Sequence, residues 1–72
     1  MISYDRFWKY IQENNITQYK LMNSGISHST LTRLKRNESV NMETIDKLCT
    51  ILECDIEEIV ECKRNPITMD ED

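Results

Sequence analysis

One arrangement recurs five times along the chain: an apolar residue, a helix-capping residue, and a second apolar residue four positions after the cap. Ile2, Ser3 and Phe7 form the first set, Ile16, Thr17 and Leu21 the second, and Ile26, Ser27 and Leu31 the third. Val40, Asn41 and Ile45 form the fourth, and Cys54, Asp55 and Ile59 the fifth. Each set is an N-cap with a hydrophobic staple, and Glu58 behind Asp55 adds a capping box. Five such starts predict five helices, near 4–13, 18–24, 28–36, 42–53 and 56–61. No stretch alternates with period two over a useful length, so the expected fold class is all-α with no sheet.

Spacing within these helices names the core. Tyr4, Phe7, Trp8 and Ile11 follow i, i+3, i+4, i+7 in the first helix, and Ile45, Leu48, Cys49 and Leu52 repeat it in the fourth. Leu21, Met22, Leu31, Leu34, Ile56, Ile59 and Val60 complete the expected set, and Trp8 is assigned to structure. Asn14 and Asn15, Gly25, and Asn37 stand where the first three helices end, and Gly and Asn tolerate the positive φ such ends require.

The third predicted helix carries a second pattern. At about 100° per residue, Ser29, Thr32, Arg33 and Arg36 fall on one face and Leu31 and Leu34 on the other. The chain's only glycine, Gly25, separates this helix from the short one before it, which is how a helix-turn-helix reads in sequence. The polar stripe offers hydroxyls and guanidinium forks but no carboxylate. Phosphates and base-edge acceptors suit such a surface, so double-stranded DNA is the leading candidate partner.

A net charge of −4 opposes that partner until it is divided along the chain. Residues 1–37 hold six Lys and Arg against two Asp and Glu, a net of +4, and residues 38–72 hold three against eleven, a net of −8. A basic half carrying the polar stripe can meet phosphate while the acidic half points away. The alternative is a helical protein-interaction module, antitoxin-like or accessory, that holds a partner through its acidic fourth and fifth helices. Three cysteines, Cys49, Cys54 and Cys62, lack paired zinc-ligand spacing and fit free thiols in a reducing compartment, with no metal expected. Met1 to Tyr10 is interrupted by Asp5, Arg6 and Lys9, so no signal peptide or membrane span is read there and a cytoplasmic protein is expected. The lone histidine has no nucleophile fixed beside it and there is no glycine-rich phosphate loop, so neither an enzyme nor a cofactor is expected. Residues 1–62 are read as one domain, and 63–72, polar and holding the only proline, as a flexible acidic tail.

Thr-Gln-Tyr-Lys-Leu opening the second helix, Gly-Ile-Ser before Ser-Thr-Leu-Thr-Arg-Leu in the third, and Thr-Ile-Asp-Lys-Leu-Cys-Thr-Ile-Leu-Glu-Cys in the fourth resemble the phage repressor and Cro type helix-turn-helix family. The likeness covers residues 1 to about 62. The fourth-helix string with the following Asp-Ile-Glu-Glu-Ile is typical of small bacterial and mobile-element regulators of this kind. The chain departs from many members between Met22 and Gly25, where it has two residues instead of three. The resemblance implies a compact five-helix, lambda-repressor-like domain that binds DNA as a homodimer on a pseudo-palindromic operator. It implies base contacts from His28, Ser29, Thr32 and Arg33, and phosphate contacts from Thr17, Gln18, Lys20, Ser27, Arg36, Asn37 and Asn41. Lys35 and Ser39 lie in the same neighbourhood.

Overall fold

The computed structural model describes residues 1–64 and runs β1 (Ile2–Ser3), α1 (Asp5–Glu13), α2 (Gln18–Asn23), α3 (His28–Lys35), α4 (Met42–Leu52), a single 3₁₀ turn (Ile56–Glu58) and β2 (Glu61–Cys62). Three of the five expected caps start helices in place. Thr17, Ser27 and Asn41 each turn a side-chain oxygen onto the N–H three residues ahead, at 3.1 Å from Lys20, 3.2 Å from Thr30 and 2.9 Å from Thr44. Each such cap contributes about 1 kcal/mol to a helix start that has no intrahelical acceptors of its own.

The ends are equally regular. Asn15, Gly25 and Asn37 adopt φ of 57°, 108° and 56°. In each case the next N–H reaches back five residues: Ile16 to Ile11, Ile26 to Leu21, Glu38 to Arg33, at 2.8, 3.0 and 2.9 Å. These are Schellman closures, and they satisfy carbonyls that the last helical turn leaves open. Helix α4 ends in the same way, with Cys54 N–H on Cys49 O at 3.1 Å, but its left-handed residue is Glu53 at φ 55°. A carboxylate side chain with a Cβ is strained there, and nothing in its residue type announces the position.

Two expectations are corrected. The five-helix, all-α reading gives way to four α-helices, because the segment expected at 56–61 forms only the 3₁₀ turn. Glu58 Oε2 does accept the Asp55 N–H at 2.8 Å, so the box that signals a start is real. One turn is enough to bring Ile59 into the core at 0% exposure, while Ile56 stays 42% exposed. The chain then leaves helical geometry at Ile59, φ −126°, and straightens into β2.

The second correction is that β1 and β2 pair antiparallel, with Ile2 opposite Cys62 and Ser3 opposite Glu61. Lys63 N–H donates to Met1 O at 2.7 Å, and the Met1 ammonium donates to Lys63 O at 2.6 Å. This draws Ser3 out of the cap expected of it. Helix α1 starts one residue later than expected, at Asp5, with Ser3 Oγ accepting the Asp5 N–H at 3.2 Å and Asn37 Oδ1 accepting the Tyr4 N–H at 2.9 Å. Of the tail expected at 63–72, residues 65–72 lie outside the described residues.

Tyr4, Phe7, Ile11, Leu21, Ile26, Leu31, Leu34, Ile45, Leu48, Leu52 and Ile59 form the buried core. Met22 and Ile56, both expected inside, are exposed, and Trp8, Cys49 and Val60 are half-buried against the edge. Burial pushes the Cys49 and Cys54 thiols up, Cys54 to about 11, with Cys49 and Glu58 beside it adding to the effect. A thiol whose folded value lies above its unfolded value of 9.0 favours the folded state below that pH. Stability is therefore expected to fall as pH rises from 9.0 to about 11, and Cys54→Ala should flatten the fall in urea titrations across that window.

Candidate nucleic-acid interface

Helices α2 and α3 meet through the turn at Ser24 and Gly25. Gly25 N–H donates to Met22 O at 3.1 Å, inside the closure made by Ile26 and Leu21. The left-handed φ is what calls for glycine, since a Cβ there would meet only Lys47 Nζ at an ordinary 3.6 Å. Leu21, Ile26, Leu31 and Leu34 are buried on either side of the turn, so the two helices are fixed by their inner faces.

The far end of α3 is held from α1. Trp8 Nε1 donates to Leu34 O at 3.4 Å, its ring meets Phe7 edge to face at 4.8 Å, and Lys35 Nζ lies 5.9 Å over the same ring. Asn37 ties the following loop to the start of α1 through Tyr4 N–H, and Tyr4 Oη donates to Glu38 O at 2.9 Å. A helix anchored at both ends presents its outer face at a fixed angle, which recognition of a rigid duplex requires.

His28, Ser29, Arg33 and Arg36 are exposed along that outer face. His28 is the first residue of α3, where a helix meets a groove with its N-terminal residues foremost. Among the described residues Arg33 pairs with no carboxylate, so its guanidinium fork is available. Arg36 lies 3.9 Å from Glu38, both of them largely exposed. Thr32 differs from its neighbours, being half-buried with its hydroxyl donated to His28 O at 3.1 Å. It can still accept a hydrogen bond or offer a methyl, but its one side-chain proton is used.

Ser27 is occupied as the cap, and its Oγ also lies within hydrogen-bond distance of Ser29 Oγ at 3.1 Å and Thr30 Oγ1 at 2.9 Å. Thr17 is likewise the cap of α2, with Gln18 and Lys20 exposed on the first turn behind it. Asn41 Oδ1 accepts from both Thr44 N–H and Thr44 Oγ1 at 2.9 Å. In Asn37 and Asn41 alike the amide oxygen is committed inside the protein, which leaves the Nδ2 group, the only part able to donate to a phosphate.

Two side chains exposed on α2 are not among those expected at the interface, Met22 being expected in the core. Tyr19 is 72% exposed and Met22 42%, three residues apart on the outer side of the helix. The apolar spacing of Leu21 and Met22 carries no sign that only the first faces inward. Elsewhere among the described residues, no group of three or more His, Cys, Asp or Glu is placed to hold a metal, and no helix is long and apolar enough to cross a membrane.

Comparison with known proteins agrees with this geometry. The crystal structure of the transcriptional regulator VanUg is similar to this chain with a TM-score of 0.77 and 31% identity, over 83% of this chain and 81% of that one. No curated protein sequence matches. The family model for the Cro/C1-type helix-turn-helix DNA-binding domain matches residues 6–65, which run from the second residue of α1 through α4 and the strand β2. The chain belongs to the Cro/C1-type helix-turn-helix DNA-binding domain family.

Proposed function

We propose that the protein regulates transcription, as a repressor in a bacterial or mobile-element operon, by inserting α3 into the major groove of a specific duplex site. The observation that carries this reading is the outer face of α3. Ser29, Arg33 and Arg36 are exposed beside His28 on a helix whose Leu31 and Leu34 are buried, and residues 28–37 contain no carboxylate. Arg33 is assigned to a guanine, whose O6 and N7 accept a bidentate guanidinium, and His28 and Ser29 to neighbouring base edges. Gln18, Lys20, Arg36 and the amide nitrogens of Asn37 and Asn41 are assigned to backbone phosphates. Two copies are assigned to one pseudo-palindromic site, and sedimentation of the saturated complex should show two chains per duplex. Repression is the simpler outcome because occupying a promoter needs no surface beyond the one that binds DNA.

The test is binding to duplex DNA selected from a random pool, measured as a function of salt. Affinity is expected to fall linearly on logarithmic axes with a slope of about −0.9 for each phosphate neutralised. A flat salt response, or no duplex binding at low salt, overturns the assignment and leaves the protein-interaction alternative.

A further inference from the structure

The ladder that closes the chain ends in an open edge. Met1 and Lys63 exchange both backbone hydrogen bonds, so in an antiparallel register the next pair, Ile2 and Cys62, is the non-hydrogen-bonded one. The N–H and C=O of Cys62 therefore point away from β1, and no other described backbone group meets them. Cys62 and Lys63 are exposed. An edge of this kind is a template for another strand unless its side chains forbid it.

Here the side chains favour one particular strand, namely the same one from a second copy. In a twofold antiparallel pairing centred on Cys62, Glu61 of each chain lies opposite Lys63 of the other. These two positions are non-hydrogen-bonded pairs, the type with the closer Cα spacing of about 4.5 Å. A lysine alone on an edge opposes pairing, but a lysine two residues from a glutamate becomes complementary to its own copy. The outer edge of β1 offers no such match, because Met1 would face Ser3, which is buried.

We infer that the β2 edge, Glu61-Cys62-Lys63, is a self-complementary docking strand through which two copies of the chain join into a four-stranded antiparallel sheet. It deepens the two-copies-per-site reading above. Cys62 N–H donates to Cys62 O of the second copy, and Cys62 O accepts the reciprocal bond from the second copy's N–H, which sets the two Cα atoms about 5.5 Å apart, within disulfide reach.

The full chain is treated with diamide, free and bound to its selected duplex, and run on a non-reducing gel. Two Cys62 thiols give up two protons and two electrons to diamide, which is reduced to the hydrazine as the S–S bond forms. A reducible dimer that Cys62→Ser abolishes is the expected result. In sedimentation, Lys63→Glu should weaken association about tenfold, since two attractive cross-strand pairs become repulsive. Lys63→Glu leaves Arg6–Glu61, 3.6 Å apart, untouched, so it reports on association with the fold intact. If two chains bind one duplex and Cys62 does not cross-link, or if Lys63→Glu leaves association unchanged, this edge is not the interface, while the DNA reading stands. If no duplex binds, that reading falls, and cross-linking of the free protein still decides the edge.

Discussion

Phe7→Ala is expected to leave the chain unfolded at room temperature. Phe7 is 0% exposed and is the largest of the fully buried side chains. Removing a buried phenyl ring costs about 3–5 kcal/mol through lost transfer energy and the cavity left behind. A core in a chain this short supplies only about 3–5 kcal/mol in all, so the loss is as large as the reserve. The edge-to-face contact with Trp8 is lost as well, and with it part of what holds α3 to α1. Thermal melts followed by far-ultraviolet circular dichroism should show no cooperative transition. Tyr19→Ala, at a position 72% exposed, should melt within about 0.5 kcal/mol of the parent. A cooperative Phe7→Ala melt displaced by less than about 1 kcal/mol would place the centre of the core elsewhere.

What the sequence makes legible here is what short-range chemistry decides. Thr17, Ser27 and Asn41 cap the N–H groups three residues ahead, and Asn15, Gly25 and Asn37 take the left-handed turns, because both effects act within one helical turn. The strands are invisible for the opposite reason. Two or three residues show no period, and the pairing of Met1 with Lys63 is decided across almost the whole chain. Once formed, that ladder overrides the local cap at Ser3. Ile56 and Ile59 carry the same ambiguity, since apolar spacing tells that one turn is buried but not that the helix stops after it.

The outer face of α3 was legible in the same partial way. Helical period alone separates Arg33 and Ser29 from Leu31 and Leu34, and the structure has them exposed and buried accordingly. It does not report that Thr32 gives its proton to His28 O, nor that Asn37 reaches back to Tyr4 N–H across 33 residues. Those commitments are properties of the folded molecule. They narrow which atoms of a candidate side chain remain available for DNA.

Arg33→Ala is expected to cost about 1–3 kcal/mol on the preferred site and to relax the choice of base at one position in each half-site. Arg33 lies midway along the exposed face between Ser29 and Arg36, and no described carboxylate competes for its guanidinium. Lys20 stands on α2, behind the cap at Thr17, where a side chain reaches backbone rather than base edges. Lys20→Ala should therefore weaken every sequence about equally and make the salt slope shallower by about 0.9, the share of one phosphate. Each protein is titrated against the selected site and its single-base variants at one salt concentration, with circular dichroism confirming the fold. Neither side chain contributes to the core, so both variants should melt like the parent. If Arg33→Ala weakens all sequences alike, the guanidinium is on phosphate. Base discrimination then belongs to His28 and Ser29, whose side chains stand nearest the start of the helix, with Thr32 limited to accepting a bond or packing its methyl against thymine.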